Sequence, residues 1–417
     1  MLGGRDDPLA DVWTIVRDAA GTVPAYAVGG PVRDLLRGHP HRDADVAIEG
    51  DAVAVAGRLA ESIEGARLTV HRAFGTAVVH APGALRVDLA AARRERYPSP
   101  GALPVVEPAG IAEDLGRRDF TVNAIAAAIV GPHFGELLDP FDGRRDLDAG
   151  LIRVLHPASF RDDPTRLFRA VRYASRLHYA LEPDTERLAR EAIAAGVVDL
   201  VSGQRLRAEL VALLHESTET IAAALVRADD LGLLAALDPA LGGDAVGRGA
   251  RVARLDELRQ RLAILVTPWR GRLAALAVGL DDARIARVAE HLRLDRRAAA
   301  VVRAAATAPA RIGPRLAAAA TPADVGDLLD PGPIEVALVV AADGGPGAGA
   351  AELYLERLRG IRLEIDGSVL RDELGLAQSP RVGEVLAELL RRKRNGQLAD
   401  RRSELAAARE LVGRAAS

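Results

Sequence analysis

The stretch Tyr26-Ala-Val-Gly29-Gly30-Pro-Val-Arg33-Asp34-Leu-Leu-Arg37-Gly-His-Pro-His-Arg42-Asp43-Ala-Asp45-Val-Ala-Ile48-Glu-Gly-Asp51 decides how this chain folds. Tyr26–Val28 reads as a short buried strand. It breaks at Gly29-Gly30, where two residues without a Cβ let the backbone come close to a ligand. A helical turn follows, with Pro31 at its start and Arg33, Asp34 and Arg37 behind it. Asp43-Ala-Asp45-Val-Ala-Ile48 comes next. Alternate residues of a strand share a face, so Asp43 and Asp45 point one way while Val46 and Ile48 point into a core. Neighbouring carboxylates repel, and a purely structural strand gains nothing from them. Divalent cations would resolve that conflict and give it a use. An isolated Asp-x-Asp is most often two solvated aspartates on an edge strand. Here the Gly-Gly turn and an Arg suited to a triphosphate lie in the same supersecondary unit.

Gly29-Gly30-x-Val-Arg33-Asp34 followed by Arg42-Asp43-x-Asp45 resembles the head of the class II tRNA nucleotidyltransferase and bacterial poly(A) polymerase family. The resemblance implies an α+β chain: a polymerase-β-like nucleotidyltransferase head, with a mixed sheet and helices, then an all-α neck, body and tail. The expected divisions are 1–140 for the head, 141–200 for the neck, 201–342 for the body and 350–417 for the tail. Asp43 and Asp45 become the expected ligands of Mg2+ and, with Asp88, the expected catalytic residues. Gly29, Gly30 and Arg33 become phosphate contacts.

With 417 residues the chain has room for two to four domains. Aromatics are only 3% of it, so its cores must be built from Ala, Leu, Val and Ile, mostly in helices. There is no cysteine, which excludes disulfides, thiolate metal sites and cysteine nucleophiles. No signal pattern and no apolar run of spanning length is found, so a soluble cytoplasmic protein is expected. The net charge of −3 does not advertise a nucleic-acid binder. Of 55 basic residues only Lys393 is a lysine. GC-rich codon usage accounts for that bias. It also means that phosphate contacts here fall to arginine, which binds two oxygens at once.

Residues 1–25 read as one helix and residues 51–66 as another. Thr69 to Val79 reads as strand, Gly75 turn and strand, with Phe74 at the turn. Leu85–Ala90 is a further strand. Its Asp88 faces the Asp43 and Asp45 side if the strands are neighbours. It is a candidate third carboxylate and equally a partner for Arg86 or Arg93. Residues 92–104 are punctuated by Pro98, Pro100, Gly101 and Pro104 and cannot be one regular element. They resemble the family's mobile loop, though Pro-Gly-Ala-Leu-Pro differs from the charged loop of many full CCA-adding members.

In Glu113-Asp-Leu-Gly-Arg117-Arg118-Asp119-Phe120-Thr121-Val-Asn123-Ala-Ile-Ala, an apolar helical face of Ile125, Ala126 and Ile129 is expected, with the polar residues at its start. The block matches the family's Arg-Arg-Asp-Phe-Thr-x-Asn-Ala motif. That gives Arg118, with Arg117, a triphosphate role, and Asp119 and Asn123 a ribose or positioning role. Residues 138–153 are rich in turns and resemble the link from head to neck.

Asp162-Asp163-Pro164-Thr-Arg166 opens a helix on which Arg166, Arg169 and Arg172 recur every three residues as one positive stripe. Asp163 before Pro164 is also a good helix cap. Asp163 and Arg166, one turn apart, can present an acceptor and a two-pronged donor to a base. The family uses Glu-Asp-x-x-Arg here as an amino-acid template for CTP or ATP; Asp162 makes the first acid one methylene shorter. Arg169 and Arg172 support that pair or the triphosphate.

Beyond residue 183 the chain is Ala-, Leu- and Arg-rich at helical spacing, with Gly344–Gly349 as its clearest linker. Arg391, Arg392, Lys393 and Arg394 form a basic cluster before Gly396. It resembles the tail that touches tRNA away from the acceptor end, and it equally suits a helix C-terminus. The activity implied is Mg2+-dependent addition of nucleotides from CTP or ATP to the tRNA 3′ end, with no membrane and no obligate protein partner. The alternatives are CC-only addition, A-only addition, poly(A) synthesis, or an RNA-binding scaffold with an inactive head. Poly(A) synthesis is disfavoured because no long basic C-terminal extension is seen. The intact Asp43 and Asp45 argue against the scaffold.

Overall fold

The protein is described here by a computed structural model covering residues 2, 9–39, 43–72 and 75–413. Its N-terminal part contains, in chain order, α1 (Ala10–Ala20), β1 (Ala25–Val28), α2 (Gly30–Leu36), β2 (Asp43–Ile48), α3 (Ala52–Ser62), β3 (Arg67–His71), β4 (Thr76–Ala81), β5 (Leu85–Ala91), β6 (Arg93–Arg96) and β7 (Val105–Pro108). It continues with α4 (Ile111–Gly116), β8 (Ala126–Ala128), β9 (Leu137–Leu138), α5 (Gly143–Ala149), β10 (Leu151–Ile152), α6 (Ser159–Asp162), α7 (Thr165–Leu177), β11 (Ala180–Leu181) and α8 (Pro183–Ala194). The chain divides into two compact units, residues up to 205 with 231–236, and residues 206–230 with 237 onward.

In the first unit seven strands pair in the order β3-β4-β5-β2-β1-β8-β9. β2 and β5 run parallel and the other neighbours antiparallel, so the sheet is mixed as expected. β2 alternates as its sequence dictates. Ala44, Val46 and Ile48 are fully buried, beside Val79, Val87 and Leu89 of β4 and β5. The helices α1 and α3 pack together, and α3 also packs on β4 and β5. Each large apolar side chain buried there contributes about 1.5–3 kcal/mol. The opposite face carries Asp43 and Asp45. Two residues further on, Ala47 joins Val28, Ile111, Leu115 and Ala126 in a second small core. One strand therefore seals itself at its C-terminal end and leaves its carboxylates at the other.

Four readings need correction. Residues 1–25 are not one helix: α1 spans Ala10–Ala20, and residues 3–8 lie outside the described residues, as do Arg42 and Phe74. The expected helical face at Ile125, Ala126 and Ile129 does not exist. α4 stops at Gly116, Thr121–Asn123 form a 3-10 turn, and Ala126–Ala128 become a strand, paired Tyr26 to Ala128 with β1. Three alanines carry little strand preference of their own, so sheet pairing decided their state. Residues 92–104 are not all loop, because β6 and β7 form a two-stranded ribbon whose tip is the Pro- and Gly-punctuated stretch. Gly344–Gly349 is no linker. A Cβ at Gly347 would meet Gly313 O and the Leu316 Cβ well inside normal contact, so the segment is a tight turn pressed on its neighbour. The second unit is otherwise helical among the described residues.

Candidate active site

Asp43 is exposed and Asp45 half-buried on β2, with Asp88 of β5 directly opposite Asp45 in register. Arg86 grips Asp88 with a fork, Nη2 to Oδ1 at 2.8 Å and Nε to Oδ2 at 2.8 Å. Among the described residues no three His, Asp or Glu side chains come together as a metal cluster. Of the two readings of Asp88, the geometry has the Arg86 partner. Asp45 lines the site cavity, and Asp43 lies two residues before it on the same strand.

Gly29 ends β1 at φ +72, where a side chain would be strained. A Cβ there would lie 2.9 Å from Arg118 Nη1 and 3.8 Å from Asp45 Oδ2. Backbone, guanidinium and carboxylate thus converge on a point with room for a hydrogen and no more. Arg118 Nε is buried and without a hydrogen-bond partner in the described structure. Anionic oxygens beside a guanidinium with spare donors suit a hard divalent cation and a phosphate.

Arg117 and Arg118 follow α4, whose buried Asp114 holds both. Asp114 Oδ1 accepts from Arg117 Nη2 at 2.7 Å, and Oδ2 from Arg118 Nη2 at 2.9 Å. Burial works against the charge on Asp114, yet Arg118 and Arg117 hold its carboxyl below the usual range. Arg117 also donates to Glu95 of the ribbon at 3.0 Å, and the Tyr97 hydroxyl donates to the other Glu95 oxygen at 3.0 Å. Burial and Glu95 push that phenol above its ordinary value.

Asp119 is a buried hub. Its Oδ1 accepts from Phe120 N at 2.9 Å and Asn123 Nδ2 at 3.0 Å, and its Oδ2 from Arg169 Nε at 2.8 Å. Burial would raise its pKa, but Arg169, the Asn123 amide and Arg166 bring it down to about 2. Arg33 sits behind this hub, only 2% exposed, with its fork on Asp34 and Nη1 on Asn123 Oδ1 at 2.6 Å. It therefore does not face the cavity as a phosphate contact, and instead fixes the residue that fixes Asp119. Arg33, Arg169 and Arg172 all stand 5.2–5.3 Å from the centre of the Tyr173 ring.

Asp163 Oδ1 accepts from Thr165 N at 3.0 Å, Thr165 Oγ1 at 2.6 Å and Arg205 Nη2 at 2.6 Å. It caps α7 and faces a cation at once. Arg166 is buried, giving Nη1 to Ser159 Oγ and Nη2 to Arg117 O, both at 2.6 Å. The expected positive stripe is thus resolved into separate partnerships, with Arg169 on Asp119 and Arg172 beside the Tyr173 ring. Asp162 turns aside, 4.0 Å from His156 Nδ1. Gly29, Gly30, Asp45, Arg118, Asp163 and Arg166 line one cavity of about 400 Å3, with Arg117, Asp119, Asn123 and Arg169 also in its wall. Arg33, Asp43, Asp88, Asp162 and Arg172 are not among its lining residues.

Sequence reading missed Asp114, Glu95, Tyr97, Tyr173 and Arg205. Asp114 was findable, since it stands three and four residues before two arginines. Arg205 was not, because it reaches Asp163 from 42 residues away.

The basic cluster near the C-terminus is paired throughout. Arg391 meets Asp324 and Asp327, Arg392 meets Glu388 and Glu410, and Lys393 meets Glu404 and Glu364. Arg394 is buried with its fork on Asp330, at 2.6 and 3.0 Å. It is not an exposed phosphate contact.

A mixed sheet with a carboxylate pair beside a Gly-Gly turn and a guanidinium-lined cavity defines a nucleotidyltransferase head. Residues 25–153 match the poly(A) polymerase head domain. An A-adding tRNA nucleotidyltransferase of Geobacter sulfurreducens is 36% identical over 94% of this chain and 45% of its own length. The chain spans less than half the length of the curated relatives it matches first. The Thermotoga maritima CCA-adding enzyme complexed with tRNA is 29% identical, with TM-score 0.76 over 98% of this chain and 96% of that one. A tRNA-processing enzyme complex is 30% identical, with TM-score 0.71 over 91% of this chain and 100% of that one. The chain belongs to the class II tRNA nucleotidyltransferase family. That family generally uses a divalent metal. No helix among the described residues is long and apolar enough to cross a membrane.

Proposed function

We propose that this chain transfers nucleotides from CTP or ATP to the 3′ end of tRNA, using Mg2+ held by Asp43 and Asp45. The observation that carries the reading is the single cavity shared by Asp45, the Gly29-Gly30 backbone, Arg118 and the Asp163–Arg166 pair. Mg2+ bound there supplies neutralising charge at the reacting phosphoryl group and favours ionisation of the RNA 3′-hydroxyl. Gly29 and Gly30 let the triphosphate approach the backbone. Arg118 takes its oxygens, with Arg117 beside it. Asp119, ionised at any physiological pH, keeps Arg169 and Asn123 in place at the ribose end. Asp163 and Arg166 present acceptor and donor to the base. Asp88 is then a charge-balancing neighbour, and residues 141–200 form the neck that carries the base-reading pair.

The A-adding name of one relative and the CCA-adding name of another leave the number of nucleotides open. Incubating the chain with Mg2+ and tRNA ending before its last one, two or three nucleotides, with CTP and ATP singly and together, resolves it. A CCA-adding enzyme completes all three substrates, while an A-adding enzyme extends only the one that lacks its final residue. Extension of none of them overturns the proposal.

A further inference from the structure

Most guanidinium groups around the active site face an acid: Arg33 has Asp34, Arg117 and Arg118 share Asp114, and Arg169 has Asp119. The far end of α2 is built differently. Arg37, His39 and Arg144 line a second cavity of about 310 Å3, walled by Leu36, Leu147 and Tyr179, with Asp148 as its one acid. Among the described residues neither Arg144 nor His39 makes an ion pair, and both are exposed. Arg37 is held at one edge by a loose ion pair and an aromatic ring. Its guanidinium stands 5.5 Å from the centre of the Tyr179 ring, and its Nη1 is 3.7 Å from Asp34. A guanidinium beside an aromatic ring at the wall of a cavity is the kind of surface on which an unpaired base rests.

The position of this cavity matters. α2 begins at Gly30 in the active-site cavity and ends at Leu36 in this one, six residues later. Seven residues of helix span about 10 Å, or about three nucleotides at ~3.4 Å each. That separation is within reach of an RNA strand whose 3′ end lies at Asp43 and Asp45.

We propose that this cavity holds a nucleotide of the RNA acceptor strand upstream of the reacting end. Arg144 and His39 take its phosphate, the Arg37–Tyr179 stack takes its base, and Asp148 offers an acceptor to the ribose 2′-hydroxyl. The inference rests on the reading that the acceptor is tRNA.

The test uses the full chain, a tRNA lacking its last nucleotide, and the double variant Arg144→Ala/His39→Ala. Both side chains are exposed, so the melting curve should match the parent. Binding of labelled tRNA is followed by anisotropy over a series of salt concentrations, alongside KM and kcat. The double variant should bind tRNA about five- to tenfold more weakly near physiological salt, with a log–log salt slope shallower by about 0.7, the value for one lost single-strand phosphate. Its kcat at saturating tRNA and its KM for nucleotide should stay at parent values, and Arg144→Lys should keep most of the affinity. Unchanged tRNA affinity and slope would overturn the inference. So would weakened ATP or CTP binding with tRNA binding intact, which would mark a second mononucleotide site. A parent that binds tRNA but never extends it would refute the proposed activity, while the binding comparison would still decide this cavity.

Discussion

Arg166, Arg169 and Arg172 recur along α7, and Arg391, Arg392, Lys393 and Arg394 crowd the end of the helix Pro380–Arg394, so the chain carries two basic runs of similar look. Their surroundings separate them. On α7, Arg166 donates one bond to a hydroxyl and one to a carbonyl, and Arg169 donates to a carboxylate that also anchors a backbone amide and Asn123. Both line a cavity with Arg118, whose Nε has no partner. In the C-terminal run each cation meets carboxylates of its own. The α7 arginines share their cavity with Asp45 and the Gly29-Gly30 turn, whereas Arg394 of the C-terminal run lines a cavity in which it is tied to Asp330. What a basic run does depends on which other groups share the opening it lines.

The largest effect should come from the carboxylates that this charge complements. Asp43→Ala or Asp45→Ala should lower nucleotide addition by several orders of magnitude, because charge neutralisation at the phosphoryl group supplies much of the barrier reduction. Neither side chain is in the apolar core, so melting should hardly change. A variant with normal melting and near-normal turnover would break the assignment.

Asp119→Asn should come next, now with a loss of stability. The Asp119 carboxyl lies at about 2 against 3.8 for an ordinary aspartate. A depressed carboxyl contributes its stability above the unfolded-state pKa and loses it as pH falls through the folded one. The contribution is roughly 2–3 kcal/mol at neutral pH, vanishing between about pH 4 and pH 2. Denaturant curves of parent and variant should differ by that much at pH 7 and converge on acidification. A pH-independent gap would mean that the carboxylate charge is not what holds Arg169.

Arg205→Ala should leave triphosphate binding alone and loosen selection of the base, since Arg205 ties Asp163 to the Gly101 carbonyl at the ribbon tip. A bond lost to the correct base is worth on the order of 1–3 kcal/mol, so discrimination against UTP and GTP should shrink by about tenfold or more. Unchanged discrimination with lowered melting would reduce Asp163 to a helix cap, whose loss costs about 0.5–2 kcal/mol.

The smallest effects belong to the C-terminal run. Arg394→Ala should cost about 1–2 kcal/mol, because its partner Asp330 is partly solvated. Arg391→Ala with Arg392→Ala should cost under about 1 kcal/mol and shift the salt slope of tRNA binding by less than one. A slope change of two or more would show that RNA displaces their acids, and would make the two runs alike after all.

The strand of Asp43 and Asp45 was legible because alternation over six residues allows one face to the core. Gly29 was legible because few residues other than glycine adopt its positive φ. Ala126–Ala128 was not, since three alanines accept whatever pairing the sheet offers. Arg33 was misread because its motif says that it is needed, not on which side of Asn123 its guanidinium lies. Arg205 and the ribbon residue Glu95 were invisible because contacts across tens of residues leave no local spacing.

The contrast between the two basic runs can be measured directly by titrating ATP and CTP, with Mg2+ present, into the parent, Arg118→Ala and Arg392→Ala. Arg118→Ala should bind both nucleotides at least tenfold more weakly, since it removes a charge-assisted phosphate contact, whereas Arg392→Ala should match the parent. Equal affinities in all three proteins would contradict the claim that the cavity beside Asp45 is where the triphosphate binds.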